Sequence, residues 1–186
     1  MRLVVLGSLG FEPDAGFMEL LGNERPVTCR GSDGTIRPMA TLREHALDGL
    51  KAGDVLTVSR TFTQEETDAF GALTRDDNPV HHDQAFAGAR GLHGTIIHGL
   101  LTGSLITEIG GQIGCLASGM DFQFVRPVYP GDTVTCTLTL DEVDMEGCKI
   151  KGTAMMRNQR EELVSRVALR GQLPVGAQLA RLRRLA

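Results

Sequence analysis

A chain of 186 residues, 41% of them hydrophobic and 23% charged, can bury one soluble domain or one domain with a small attachment, and it lacks the bias of a disordered or fibrous sequence. A formal net charge of −4 and an aromatic content of 4% argue against a nucleic-acid surface, which needs basic patches and stacking rings. No stretch reaches the ~18 uninterrupted apolar residues of a membrane span, and the apolar core of Met1–Leu6 is too short for a secretory signal. Cys29, Cys115, Cys136 and Cys148 form no Cys-x-x-Cys pair, so scattered reduced thiols and a cytoplasmic location are expected.

Residues 1–49 mix a short apolar piece, a possible small helix at Phe17–Leu21 and a turn-rich run at Cys29–Gly34. They carry no catalytic pattern and read as a packing extension or a partly ordered arm, with residues 1–45 dispensable for chemistry and His45 standing alone. From Gly53 the alternation of Val55, Thr57 and Ser59 against Leu56, Val58 and Arg60 predicts a strand. Thr63 followed by Glu66 matches a capping box and opens a helix with Phe70 and Leu73 on its apolar face, ending near Asp76. Pro79 lacks an N–H and pushes Asn78 out of the α region, so this helix must stop and the chain must turn. Asp76 and His81 would lie on different faces of a continuous helix, but the turn can fold them side by side. Asn78, whose side chain can bond nearby backbone, shapes that turn. Asp83–Ala87 then reads as a short helix and Gly91–Thr95 as a loop.

His98-Gly99 opens a run to Gly114 that is apolar nearly all round, the pattern of a buried helix. Each interior glycine in it costs about 0.8–1.0 kcal/mol relative to alanine, so a sheet, a second copy or a ligand must approach its backbone. The first N–H groups of such a helix have no intrahelical acceptor and sit at the positive end of its dipole, where they suit a developing oxyanion. Strands are predicted at Met120–Val125, Thr133–Leu140, Lys149–Arg157 and Leu163–Leu169, which after one buried helix indicate an antiparallel α+β layer. The tail Ala177–Ala186 reads as a short surface helix tethered by Leu179 and Leu182.

The order Asp76-x-Asn78-Pro79-x-His81, a short helix, then His98-Gly99 opening the apolar helix resembles the MaoC-like family of (R)-specific enoyl-thioester hydratases and 3-hydroxyacyl-thioester dehydratases. The resemblance runs from about Leu50 to about Gly171 and departs at Arg75, where many members have glycine. It implies an α+β hot-dog fold, a curved antiparallel sheet wrapped around one long central helix, over residues 50–171, with 172–186 as a tail. It also implies a cofactor-free hydro-lyase acting on acyl thioesters of coenzyme A or acyl carrier protein. In that reading Asp76 and His81 hold and activate a water, and the Gly99 N–H faces the thioester oxygen. Asn78 supports the turn, His98 packs or hydrogen-bonds at the helix start, and Thr107 either orients Asp76 or is a plain buried hydroxyl. The same resemblance, with strand edges that need covering, implies a homodimer. A hot-dog thioesterase or a non-catalytic acyl-thioester-binding subunit are the alternatives. His81, His82, Asp83, His93 and His98 invite a metal reading, but the adjacent imidazoles at 81 and 82 point in different directions, and no metal is expected. No serine-nucleophile elbow, phosphate loop or dinucleotide fingerprint is present in the sequence.

Overall fold

The computed structural model describes residues 28–30, 36–38, 40–144 and 146–185. Five long strands carry the sheet: β3 (Val55–Thr61), β4 (Leu116–Phe124), β5 (Thr133–Asp144), β6 (Lys149–Asn158) and β7 (Leu163–Gln172). Two three-residue strands, β1 (Thr28–Arg30) and β2 (Ile36–Pro38), extend it, giving the antiparallel order β2-β1-β3-β5-β6-β7-β4. The predicted strand starts agree except at β4, which begins four residues earlier than the sequence suggested. The short helix α3 (Gln84–Ala89) precedes the apolar helix, α4 (Gly99–Ile113), which lies against this sheet in the hot-dog arrangement.

Strand alternation explains the packing. Along β5 the side chains of Val134, Cys136, Leu138 and Leu140 are buried, while Thr133, Thr135, Thr137 and Thr139 line the other, half-exposed face. The buried set meets Leu101, Leu105, Ile106, Ile109 and Ile113 of α4, joined by Leu56 and Val58 of β3 and Ile150, Ala154 and Met156 of β6. Burying each large aliphatic side chain contributes about 1.5–3 kcal/mol. Two of the helix glycines are explained by the sheet: a Cβ on Gly99 would stand 2.7 Å from the ring of Phe124, and one on Gly103 would stand 2.8 Å from Phe122. A Cβ on Gly111 would meet nothing within 4 Å, and packing among the described residues does not account for it.

The segment before residue 50 does more than flank this core. Helix α1 (Ala40–Asp48) buries Leu42 completely in the same cluster, and Arg43 donates from Nε to the carbonyl of Gln112 (3.3 Å) and from Nη1 to that of Leu185 (2.9 Å). Cys29 and Arg30, expected in a turn, instead pair with Leu56 and Val55 as part of β1. His45 is not alone either: its Nε2 lies 2.9 Å from Asp54 Oδ2, which also accepts the Lys51 N–H. The possible helix at Phe17–Leu21 lies outside the described residues. The tail forms α5 (Ala177–Arg183), with Leu179 and Leu182 half-buried and Leu182 packed close to Gly114. Among the described residues, no helix is long and apolar enough to cross a membrane.

Candidate functional site

The site begins where helix α2 (Gln64–Thr74) ends. Its start is held by the full capping box: the Thr63 hydroxyl accepts the Glu66 N–H (3.2 Å), and the Glu66 carboxylate accepts the Thr63 N–H (2.9 Å). Its end is Arg75, at φ 58° and ψ 30°, a left-handed conformation that costs an L-residue about 1–2 kcal/mol and a glycine almost nothing. That geometry is the physical reason for a glycine at this point of the motif. Immediately beyond, the Asp76 N–H donates to Gly71 O (3.1 Å), and Asp76 Oδ1 accepts the Asn78 N–H (3.3 Å). Asn78 Oδ1 in turn accepts the Val80 N–H (3.3 Å) and caps a single 3-10 turn at Pro79–His81. Asn78 is therefore a turn-shaping residue, as its side chain suggested.

This turn carries His81 back to Asp76. Nε2 of His81 lies 3.9 Å from Asp76 Oδ2, and Nε2 of His98 lies 3.8 Å from the same oxygen. The two imidazoles stack, with ring centroids 3.6 Å apart and planes inclined by 21°. Both histidines are buried, whereas the Asp76 side chain is half exposed. His81 Nδ1 is 2.7 Å from the Ile96 carbonyl oxygen. A carbonyl only accepts, so Nδ1 carries a hydrogen; the uncharged form of the ring then has its lone pair on Nε2, the nitrogen that faces Asp76. The 3.9 Å gap is too long for a direct hydrogen bond and allows one water to donate to both acceptors.

Asp76, His81, His98 and Gly99 share the wall of a cavity of about 540 Å³. The rest of the wall is largely apolar, from Phe70, Leu92, Ile96, Leu100, Phe124 and Val128, with Arg126 as its one guanidinium. This size and character suit a small organic ligand held by a few placed polar groups. Gly99 is the first residue of α4, so its N–H is among those without an intrahelical acceptor. Burial, and next the neighbouring His81, hold the His98 imidazole below its ordinary pKa of 6.5, against the opposing pull of the Asp76 carbonyl and carboxylate.

Four of the expected residues thus come together, and Asn78 supports them. Thr107 does not join them within the chain: it is exposed, and its hydroxyl donates to Ser104 O (2.7 Å) one turn earlier in its own helix. The helix threonine that reaches the cavity is Thr102, buried and three residues after Gly99, and Thr74 at the end of α2 lines it as well. Sequence reasoning also missed the Ile96 carbonyl that fixes the His81 ring, and Phe124, which closes over Gly99. Asp76, His81 and His98 offer ligand atoms within 4.8 Å of one another, the spacing a metal ion could use.

A family model described as MaoC like domain matches residues 51–161. The (R)-specific enoyl-CoA hydratase of Aeromonas caviae is 38% identical over 90 residues, a stretch that covers 46% of this chain and 67% of that one. The mitochondrial 3-hydroxyacyl-[acyl-carrier-protein] dehydratase of Arabidopsis thaliana is 33% identical over 87 residues, covering 46% of this chain and only 52% of the relative. Among solved structures, the (R)-hydratase from A. caviae involved in PHA biosynthesis superposes with a TM-score of 0.64 at 30% identity, over 68% of this chain and 98% of the other. Motif, fold and a family match over more than half its length agree: this chain belongs to the MaoC-like domain family.

Proposed function

We propose that this chain is a hydro-lyase that reversibly adds water to trans-2-enoyl thioesters to give (R)-3-hydroxyacyl thioesters. The observation that carries the reading is the facing of the Asp76 carboxylate and the His81 Nε2 lone pair across a gap of 3.9 Å at an apolar cavity. A water held by both acceptors loses a proton to the pair as its oxygen bonds to the β carbon. The electrons of the double bond move toward the thioester oxygen, where the N–H of Gly99 stabilises the developing negative charge. The pair returns a proton to the α carbon, so the net change is the addition of one water. No cofactor enters these steps. A fixed Asp76/His81 pair delivers water to one face only, which is consistent with the (R)-specific naming of the A. caviae relative.

The acid, the base and the helix-start donor all fall within residues 50–171, and the thioester carrier is coenzyme A or acyl carrier protein. The working unit is a homodimer. Strand β4 lies at the edge of the sheet with Leu116 71% and Phe124 55% exposed, an apolar edge of the kind that a second copy covers. Light scattering at micromolar concentration tests this, and a strictly monomeric mass excludes it. The thiols Cys115 and Cys136 are unpaired, which suits a reducing cytoplasm. For the reaction itself, crotonyl-CoA absorbance is followed alongside release of free thiol. Loss of the enoyl signal without thiol is expected; thiol release identifies a thioesterase, and no change identifies a binding subunit.

A further inference from the structure

The stacked histidines are not equivalent. His81 is fixed by the Ile96 carbonyl, which requires a hydrogen on Nδ1. His98 faces the opposite demand. Its Nε2 lies 3.4 Å from the carbonyl oxygen of Asp76 and 3.8 Å from Oδ2 of the same residue, both acceptors. Its Nδ1 is buried with no partner among the described residues. A hydrogen on Nδ1 would strand a buried donor and turn the Nε2 lone pair against two oxygens; a hydrogen on Nε2 avoids both. Protonating both nitrogens would strand the same donor on a charged ring stacked 3.6 Å from another imidazole. The depressed pKa of His98 agrees with a neutral ring.

We propose that His98 is a positioning residue, a neutral imidazole with its hydrogen on Nε2, which donates to the backbone carbonyl of Asp76 and so holds that residue's carboxylate opposite His81. The two stacked rings then carry opposite tautomers: His81 presents a lone pair to the water, and His98 presents a donor to the backbone of the residue whose carboxylate shares it. Packing keeps the ring in this role. Phe70 lies against it at a centroid distance of 5.3 Å, and a Cβ added to Gly71 would stand 3.4 Å from its Cε1, so the ring has little room to rotate. The kinetic part of the proposal rests on the hydratase reading; the tautomer does not.

The test uses the full chain and three substitutions. His98→Phe keeps a flat stacking ring without the donor, His98→Gln places an amide N–H near the Nε2 position, and His98→Asn places one near Nδ1 while remaining a good helix cap. With crotonyl-CoA, His98→Phe is expected to lower kcat by roughly 10- to 100-fold, the scale of a misplaced reacting group, with KM within about twofold. His98→Gln should recover most of the loss and His98→Asn should not. Equal losses in Phe and Gln, or recovery by Asn rather than Gln, overturn the donor role. If the Phe variant does not fold, the Gln and Asn pair decides. Independently of turnover, ¹⁵N imidazole spectra of the wild-type protein, with His98 assigned by its loss in His98→Gln, should show a neutral ring protonated at Nε2. A ring protonated at Nδ1, or at both nitrogens, at neutral pH overturns the proposal. An inactive wild type with the Nε2 tautomer would instead refute the hydratase reading alone.

Discussion

Replacing Asp76 by asparagine separates the chemistry of the site from its architecture. In the structure the carboxylate supports the fold through one contact, the 3.3 Å hydrogen bond that Oδ1 accepts from Asn78 N–H, and its side chain is half exposed. Asparagine keeps that acceptor and nearly the same shape, so stability should change by no more than about 0.5 kcal/mol. Oδ2, in contrast, has no other task than to face His81 and His98. An amide NH₂ there offers the water a donor in place of a second acceptor and cannot take its proton. The expected loss in kcat is roughly 10²–10⁴, or about 2.7–5.4 kcal/mol of transition-state stabilisation. His81→Gln should lose a similar factor. Because both groups act on the same water, the double variant should fall far less than the product of the two. Turnover of crotonyl-CoA, with thermal melts and circular dichroism to confirm folding, measures all three. Folded single variants that retain more than about a tenth of wild-type turnover would falsify the assignment and reduce the pair to structural residues.

Leu42→Ala, which empties a fully buried position of α1, should cost about 2–5 kcal/mol in urea unfolding, and a chain beginning at residue 46 should lose comparable stability while retaining turnover at low temperature. A truncated chain that is folded but inactive would show that the early residues serve the chemistry. Burial holds the Glu108 carboxyl above its usual 4.5, so the stability linked to its protonation is full below about pH 4.5 and is lost as pH rises through the raised folded value. Glu108→Gln should therefore melt above wild type at pH 7, with the difference closing below pH 4.5; a lower melting temperature at pH 7 contradicts this. Gly103→Ala gains about 1 kcal/mol of helix propensity but drives its Cβ to 2.8 Å from Phe122, so a net loss of about 1 kcal/mol is expected. In a Phe122→Ala background the same change should stabilise, and urea melts of the four proteins of this cycle decide.

What could be read in the sequence was what short-range constraint dictates. Pro79 stops the preceding helix from running on whatever surrounds it, so the turn joining Asp76 to His81 could be derived before any contact was known. The Thr63–Glu66 box and the all-round apolar character of α4 are local in the same sense. What could not be read depends on meetings between distant elements. The stacking of His98 on His81 arises because the end of α2 abuts the start of α4, and neither segment encodes the other's position. Thr107 lies away from the cavity for a geometric reason: it follows Thr102, which lines the cavity, by five residues, a net rotation of about 140° around the helix. The burial of α1 was hidden because Ala40–Asp48 carries only a weak apolar stripe, and its role rests on Leu42 and on the reach of Arg43 to two remote carbonyls.

The place of β4 governs how this chain can fold. It follows α4 directly, yet its hydrogen-bonded neighbour is β7, and β5 and β6 lie between them in sequence. During synthesis the central helix and its first covering strand therefore emerge well before the strand that completes their cover. Until Ser165 and Val167 are available, Phe122 and Phe124 have no sheet to hold them over Gly103 and Gly99. Closing that loop costs entropy before any contact repays it, so assembly is paced by a late, long-range event. In that interval an apolar helix interrupted by glycines stands partly bare, and it is then that the chain is most exposed to aggregation.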